Sequence, residues 1–155
     1  MLSCCFTGHR AMSMAEQKRI FPVLNQEILN AIEKGVTVFR SGGALGFDTI
    51  AALSVLNFKK KHPEIKLYVD VPHRRQCAKW SDFDKSVYRN ILASADKVTY
   101  VSAYYEKGCM QKRNRYMVDN SDMVISYVKR ASGGSYYTAC YAKSQDKEII
   151  NLGDL

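Results

Sequence analysis

The chain's 155 residues, 46% hydrophobic and 25% charged, have an ordinary globular balance and suffice for one domain with its own core. A net charge of +8 points to an anionic partner, a nucleotide or a nucleic acid, without separating the two. No stretch has the length of a membrane span, Met1–Phe6 lacks the basic lead of a signal peptide, and the 5 cysteines lack C-x-x-C spacing; a cytoplasmic protein with no membrane partner, metal or cofactor is expected.

Residues 2–6 read as a first strand, with Cys4 and Cys5 as reduced core thiols and Thr7-Gly8-His9-Arg10 as the exit loop. Ile20, Val23, Leu24, Ile28, Leu29 and Ile32 recur at three- and four-residue spacing, which predicts a helix over about 15–34. Pro22 marks a start or kink in it, and Gly35 closes it. Residues 36–39 predict strand two. The loop Arg40-Ser41-Gly42-Gly43-Ala44-Leu45-Gly46 follows, then a helix over 45–61 whose Lys59-Lys60-Lys61 end suits the negative pole of the dipole. Residues 65–71 predict strand three and 81–93 a helix. Residues 97–101 predict strand four and 110–118 a helix. Residues 123–128 predict strand five, Gly133-Gly134-Ser135 opens a helix over 136–144, and 147–152 close the chain as a strand.

Strands alternate with helices, and most strands are continuous apolar runs. That pattern predicts an α/β fold: a Rossmann-like, doubly wound, mainly parallel sheet with helices on both faces, in one domain. Ligands of such sheets sit beyond the carboxyl ends of the strands. Those ends carry Thr7–Arg10, the Ser41–Gly46 loop, Pro72-His73-Arg74, residues 102–108 and Ser132-Gly133-Gly134-Ser135, all expected to converge on one rim. Glycine loops feeding helix starts suit phosphate, because free backbone N–H groups point at the anion. The alternative is steric relief at an ordinary βα turn. The spacing excludes both G-x-x-x-x-G-K-[ST] and G-x-G-x-x-G.

Asp48 and Thr49 fall in the first turn of helix two. Asp48 either complements the dipole or serves a ligand, as acceptor for a ribose hydroxyl or as a general base. Arg10 can pair with phosphate, and His9 can cap a loop. Of Arg113, Asn114 and Arg115, adjacent on helix four, one or two can reach the rim; the alternative is a solvated basic face. Trp80 and Tyr88 could stack on a base or simply pack. Cys109, after Gly108, sits where a helix dipole favours the thiolate.

Together, residues 5–10, 41–52, 108–119 and 132–135 resemble the SLOG superfamily, and within it the short bacterial and phage family of YpsA-like proteins. The resemblance implies a Rossmann-like fold that binds nucleotides or nucleotide-derived ligands such as ADP-ribose species. It extends to the DNA-processing protein Smf/DprA, which has a similar Ser-Gly-x-Ala-x-Gly-x-Asp loop and binds single-stranded DNA, and to the Lonely Guy phosphoribohydrolases. The Pro-Gly-Gly-x-Gly-Thr-x-x-Glu motif of the hydrolases is absent, and Leu53 stands where the DNA-processing loop commonly ends in His. The expectation is a module for a phosphorylated ribonucleoside, with Thr7, Gly8, His9, Arg10, Ser41, Gly42, Gly43, Ala44, Leu45, Gly46, Asp48, Thr49, Arg113, Asn114, Gly133, Gly134 and Ser135 at the site. Gly42, Gly43 and Gly46 would offer N–H groups to phosphate. If the chain is an N-glycosidic hydrolase instead, Asp48 is the catalytic carboxylate. Nucleic acid is a less favoured partner, and pairing into a homo-oligomer through exposed helices is allowed.

Overall fold

Helix and strand alternate without exception along the computed structural model, which describes residues 2–154. Their order is β1 (Leu2–Gly8), α1 (Met14–Glu33), β2 (Val36–Ser41), α2 (Phe47–Lys59), β3 (Lys66–Val71), α3 (Asp82–Ser94), β4 (Lys97–Tyr100), α4 (Cys109–Asp119), β5 (Met123–Tyr127), α5 (Gly134–Ser144) and β6 (Glu148–Asn151). Met1, at the head of the apolar run, lies outside the described residues.

One sheet holds the strands in the order β4-β3-β2-β1-β5-β6, every neighbouring pair parallel. Parallel neighbours need crossovers, and right-handed crossovers fix the layers. Steps from β1 to β4 run one way across the sheet, so α1, α2 and α3 share a face. The return to β5 and β6 reverses direction and places α4 and α5 on the other, where the two helices touch each other.

Each strand therefore buries both of its faces, and β1 shows it residue by residue. Cys4 and Phe6 point into the larger core with Leu24, Ile28, Phe39, Phe47 and Ile125. Cys5 points the other way, to Met117, Val118, Val124 and Ala142. Both thiols are fully buried and free. Desolvation pushes Cys5 up to about 12, so it is an inert thiol that fills core volume.

Local chemistry sets the helix ends. Ser13 caps α1: its Oγ accepts from Glu16 N–H at 3.1 Å while Glu16 Oε1 accepts from Ser13 N–H at 3.4 Å. The helix thus starts eight residues before Pro22 and runs through it, not from it. Gly35, at φ +102, follows its C-cap as expected. Val23 lies on the exposed side of α1, leaving Ile20, Leu24, Ile28 and Ala31 to bury. Lys59 closes α2 by pairing with Asp96, which also accepts Leu67 N–H.

Candidate functional site

In the order 4-3-2-1-5-6 the winding reverses between β1 and β5. A doubly wound sheet opens a crevice at such a reversal, because the loops leaving the two strands turn to opposite faces. A cavity of about 430 Å³ occupies that place. Thr7, Gly8, His9 and Arg10 form its wall from β1. Ala44 and Asp48 come from the β2–α2 turn, Met110, Gln111, Arg113 and Asn114 from α4, and Arg130, Ser132, Gly133, Gly134 and Ser135 from the β5–α5 turn. The volume falls within the ordinary range of small-molecule sites.

The rim is narrower than the sequence suggests. Pro72-His73-Arg74 and residues 102–108 stay outside the cavity, and His73 packs edge-on against Tyr105 instead. Trp80 packs edge-on against Tyr88, buried Tyr88 accepts from Gln76 Nε2, and neither ring lines the cavity.

Of the β2–α2 glycine stretch and the helix turn after it, Ala44 and Asp48 line the cavity. Ser41, Gly42, Gly43, Leu45, Gly46 and Thr49 are not among the residues that line it. Gly43 N–H is already taken by Ser41 Oγ at 3.2 Å, and Ser41 Oγ donates to Asp48 C=O at 3.0 Å. Thr49 Oγ1 donates to Ala44 C=O at 2.7 Å. These bonds tie the loop to the first turn of α2. The loop's glycines answer close packing: a Cβ on Gly42 would fall 2.6 Å from Arg113 Nη1 and 2.8 Å from Asp48 Oδ2. A Cβ on Gly46, at φ +78, would overlap the carbonyl oxygens of His9 and Arg10. The absent side chains let the β1 and β2 exits lie directly on one another, with Phe47 N–H donating to His9 C=O at 3.0 Å.

The open glycines are at the other wall. Gly133 caps α5 at φ +92, and neither it nor Gly134 has any neighbour a Cβ would touch. The first N–H groups of α5 therefore face the cavity with the positive end of the helix dipole behind them. Arg10 and Arg130 are exposed at the mouth, and among the described residues neither has an ion-pair partner. Arg130 escaped the sequence reading; its only signal was a basic pair, Lys129-Arg130, directly after a buried strand.

Arg113 and Asn114 both line the cavity, and of the run Arg113–Arg115 these are the two that reach it. Arg113 is 2% exposed, not part of a solvated basic face. Its Nη1 donates to Gly42 C=O at 2.6 Å, to Asp70 C=O at 3.2 Å and to Gln76 Oε1 at 3.5 Å, while Nε donates to Asn114 Oδ1 at 2.8 Å. It ties α4 across the ends of β2 and β3. Arg115, two positions on, lies over Tyr141 at the surface. Under α4 a buried ion pair, Arg40 with Asp70 at 3.1 Å, was not anticipated either. Cys109 is buried in the first turn of α4 as an interior thiol.

Asp48 sits on the cavity wall, 6% exposed. Ala44 N–H donates to Oδ2 at 3.4 Å, a long bond, and the carboxyl has no ion-pair partner among the described residues. Burial pushes it up to about 6, with Arg113, Ala44 N–H and Arg10 opposing. His9 is pulled the other way, below its usual value, by burial and by Arg130 and Lys129. Its Nε2 accepts Lys129 N–H at 2.9 Å, which makes the ring a neutral cap that pins the β5 exit beside the β1 exit.

Sequence comparison adds the family. The model described as the YspA SLOG family (YpsA) matches residues 4–152. The chain belongs to that family. It is 32% identical over 137 residues to the SPbeta prophage-derived protein YoqJ of Bacillus subtilis, covering 77% of this chain and 80% of that one. It is 35% identical over 131 residues to a UPF0398 protein of Halalkalibacterium halodurans, covering 82% and 69%. The fold is that of two DNA processing proteins A. The Helicobacter pylori protein, which binds single-stranded DNA, superimposes with a TM-score of 0.70 at 22% identity, over 99% of this chain and 66% of that chain. The Streptococcus pneumoniae protein gives 0.67 at 20% identity, over 97% and 50%. The SLOG chain thus spans about two-thirds and half of those solved chains. Among the described residues no helix is long and apolar enough to cross a membrane.

Proposed function

We propose that this SLOG domain is a nucleotide-binding module for a phosphorylated ribonucleoside of the ADP-ribose or NAD kind. One observation carries the reading: the cavity at the winding reversal joins the open first turn of α5 to two exposed arginines, Arg10 and Arg130, which have no ion-pair partner among the described residues. Phosphate fits the α5 end, where backbone N–H groups and the dipole meet it. The arginines close over it with charge-assisted hydrogen bonds. Thr7, Asn114 and Asp48 line the remaining wall and suit sugar hydroxyls.

Calorimetric titration with ADP-ribose, AMP and adenosine tests it. ADP-ribose should bind and adenosine should bind far more weakly. Arg10→Glu combined with Arg130→Glu should weaken ADP-ribose by at least about tenfold, since reversing both charges turns attraction into repulsion at the mouth. Both side chains are exposed, so the fold should survive. Equal affinity in the double variant would remove the proposal.

Single-stranded DNA is the second reading. It draws on the net charge of +8, on exposed Tyr104, Tyr105 and Tyr137, and on the likeness to the Helicobacter pylori protein.

A further inference from the structure

We propose that Asp48 couples ligand entry to proton uptake, holding a proton while an anion occupies the cavity and releasing it when the cavity empties. The inference rests on the nucleotide reading and names a regulation of that same site.

The geometry is unusual for an anion pocket, because a carboxyl group forms part of the wall. Among the described residues no cation lies within ion-pair distance of it. Arg113, the nearest cation, spends Nη1 on Gly42 C=O, Asp70 C=O and Gln76 Oε1, and Nε on Asn114. Arg10 acts on Asp48 only through space. Arg130 faces the same cavity from the β5 exit, and His9 is held neutral there as an acceptor. The carboxylate of Asp70 from β3 is paired with Arg40 from β2 at 3.1 Å. Cys5 of β1 and Tyr88 of α3 are held protonated by burial. Among the described residues the Asp48 carboxyl accepts one hydrogen bond, from Ala44 N–H, and it is long at 3.4 Å.

An anion seated between α5, Arg10 and Arg130 brings a second negative charge into this half-enclosed space. The empty site already holds Asp48 at about 6, chiefly through burial. The occupied site holds it higher, since like charge favours the neutral form. Binding therefore takes up a proton between about pH 6 and the higher value of the complex. Across that window affinity falls as pH rises, by at most about tenfold per pH unit for one proton. Below the window the carboxyl is already protonated in the empty site, and the dependence flattens.

ADP-ribose is the probe, because its pyrophosphate does not titrate between pH 6 and pH 8. Calorimetry at pH 7 in buffers of different ionisation enthalpy counts the protons taken up on binding. The expected result is net uptake by the wild-type protein and an affinity at least about fivefold weaker at pH 8 than at pH 6. Asp48→Asn keeps an acceptor for Ala44 N–H; it should show no uptake and should bind at pH 8 as tightly as the wild type at pH 6. Binding of ADP-ribose without proton uptake by the wild type would overturn the inference and leave the nucleotide reading standing. No binding of ADP-ribose, AMP or NAD at any pH would remove both. The wild-type measurement decides the matter even if Asp48→Asn fails to fold.

Discussion

Arg113 shows how much a single side chain holds here. It is buried, it is charged, and it bonds two backbone carbonyls and two side-chain amides from four different segments. Burial pulls its guanidinium below the ordinary value, while Asp48 and Asp70 support its charge. Truncation would strand the Gly42 and Asp70 carbonyls and leave Asp48 without its nearest cation. Arg113→Met should cost about 3 kcal/mol, the scale for breaking a buried charge network. Arg113→Lys should recover part of that, since an ammonium can serve one or two of these acceptors but lacks the planar fork. Urea denaturation checks both, and a midpoint unmoved in Arg113→Met would mean the network is not holding α4. Its residue type and helix were legible in the sequence. Its burial was not: nothing near Arg113 in sequence indicates that acceptors 43 and 71 positions away, on Asp70 and Gly42, close around it. Gly42 has the complementary history. Its glycine was visible, but the reason for it is the Arg113 guanidinium that a Cβ would strike.

At the scale of elements, α1 was read correctly as a helix from its apolar spacing, and Ser13-x-x-Glu16 would have signalled its start. The second job of that cap was not legible. Glu16 Oε2 accepts from Tyr127 Oη at 2.6 Å and from Lys129 Nζ at 2.7 Å, so the start of α1 clamps the exit of β5. Lys129 N–H in turn meets His9 Nε2. These contacts hold Arg130 and the α5 N-terminus against the β1 exit. The two cap residues should therefore differ on substitution. Ser13→Ala loses one cap bond and should cost about 1 kcal/mol with little effect at the cavity. Glu16→Gln should keep most of the cap yet lose charge-assisted bonding to Lys129, so the amide of Lys129 should exchange faster with deuterium. Equal protection of that amide in both variants would show that the β5 exit is held by something else.

At the scale of the whole molecule, alternating helices with continuous apolar strands were enough to read the parallel α/β sandwich. Strand order was not readable, because pairing β1 beside β5 joins residues more than a hundred positions apart through backbone bonds that carry no side-chain signature. That pairing decides where the cavity lies and which loops it takes. The same geometry bears on the choice between the two readings of the +8 charge. A pocket that meets one pyrophosphate neutralises few charges, whereas a strand lying across the rim would engage Lys and Arg side chains well outside the cavity. Counterion release makes the difference measurable: log affinity falls against log salt with a slope of about −0.7 per phosphate on a single strand. For ADP-ribose the slope should be no steeper than about −2. An oligothymidine of about a dozen nucleotides held across the rim should give −3 or steeper, since at least about five phosphates would be engaged. Fluorescence anisotropy with both labelled probes over a range of salt makes the comparison. A steep slope for the oligonucleotide, joined to measurable affinity at physiological salt, would move the conclusion to nucleic acid; weak, fully salt-suppressed oligonucleotide binding beside a shallow ADP-ribose slope would keep it with the nucleotide.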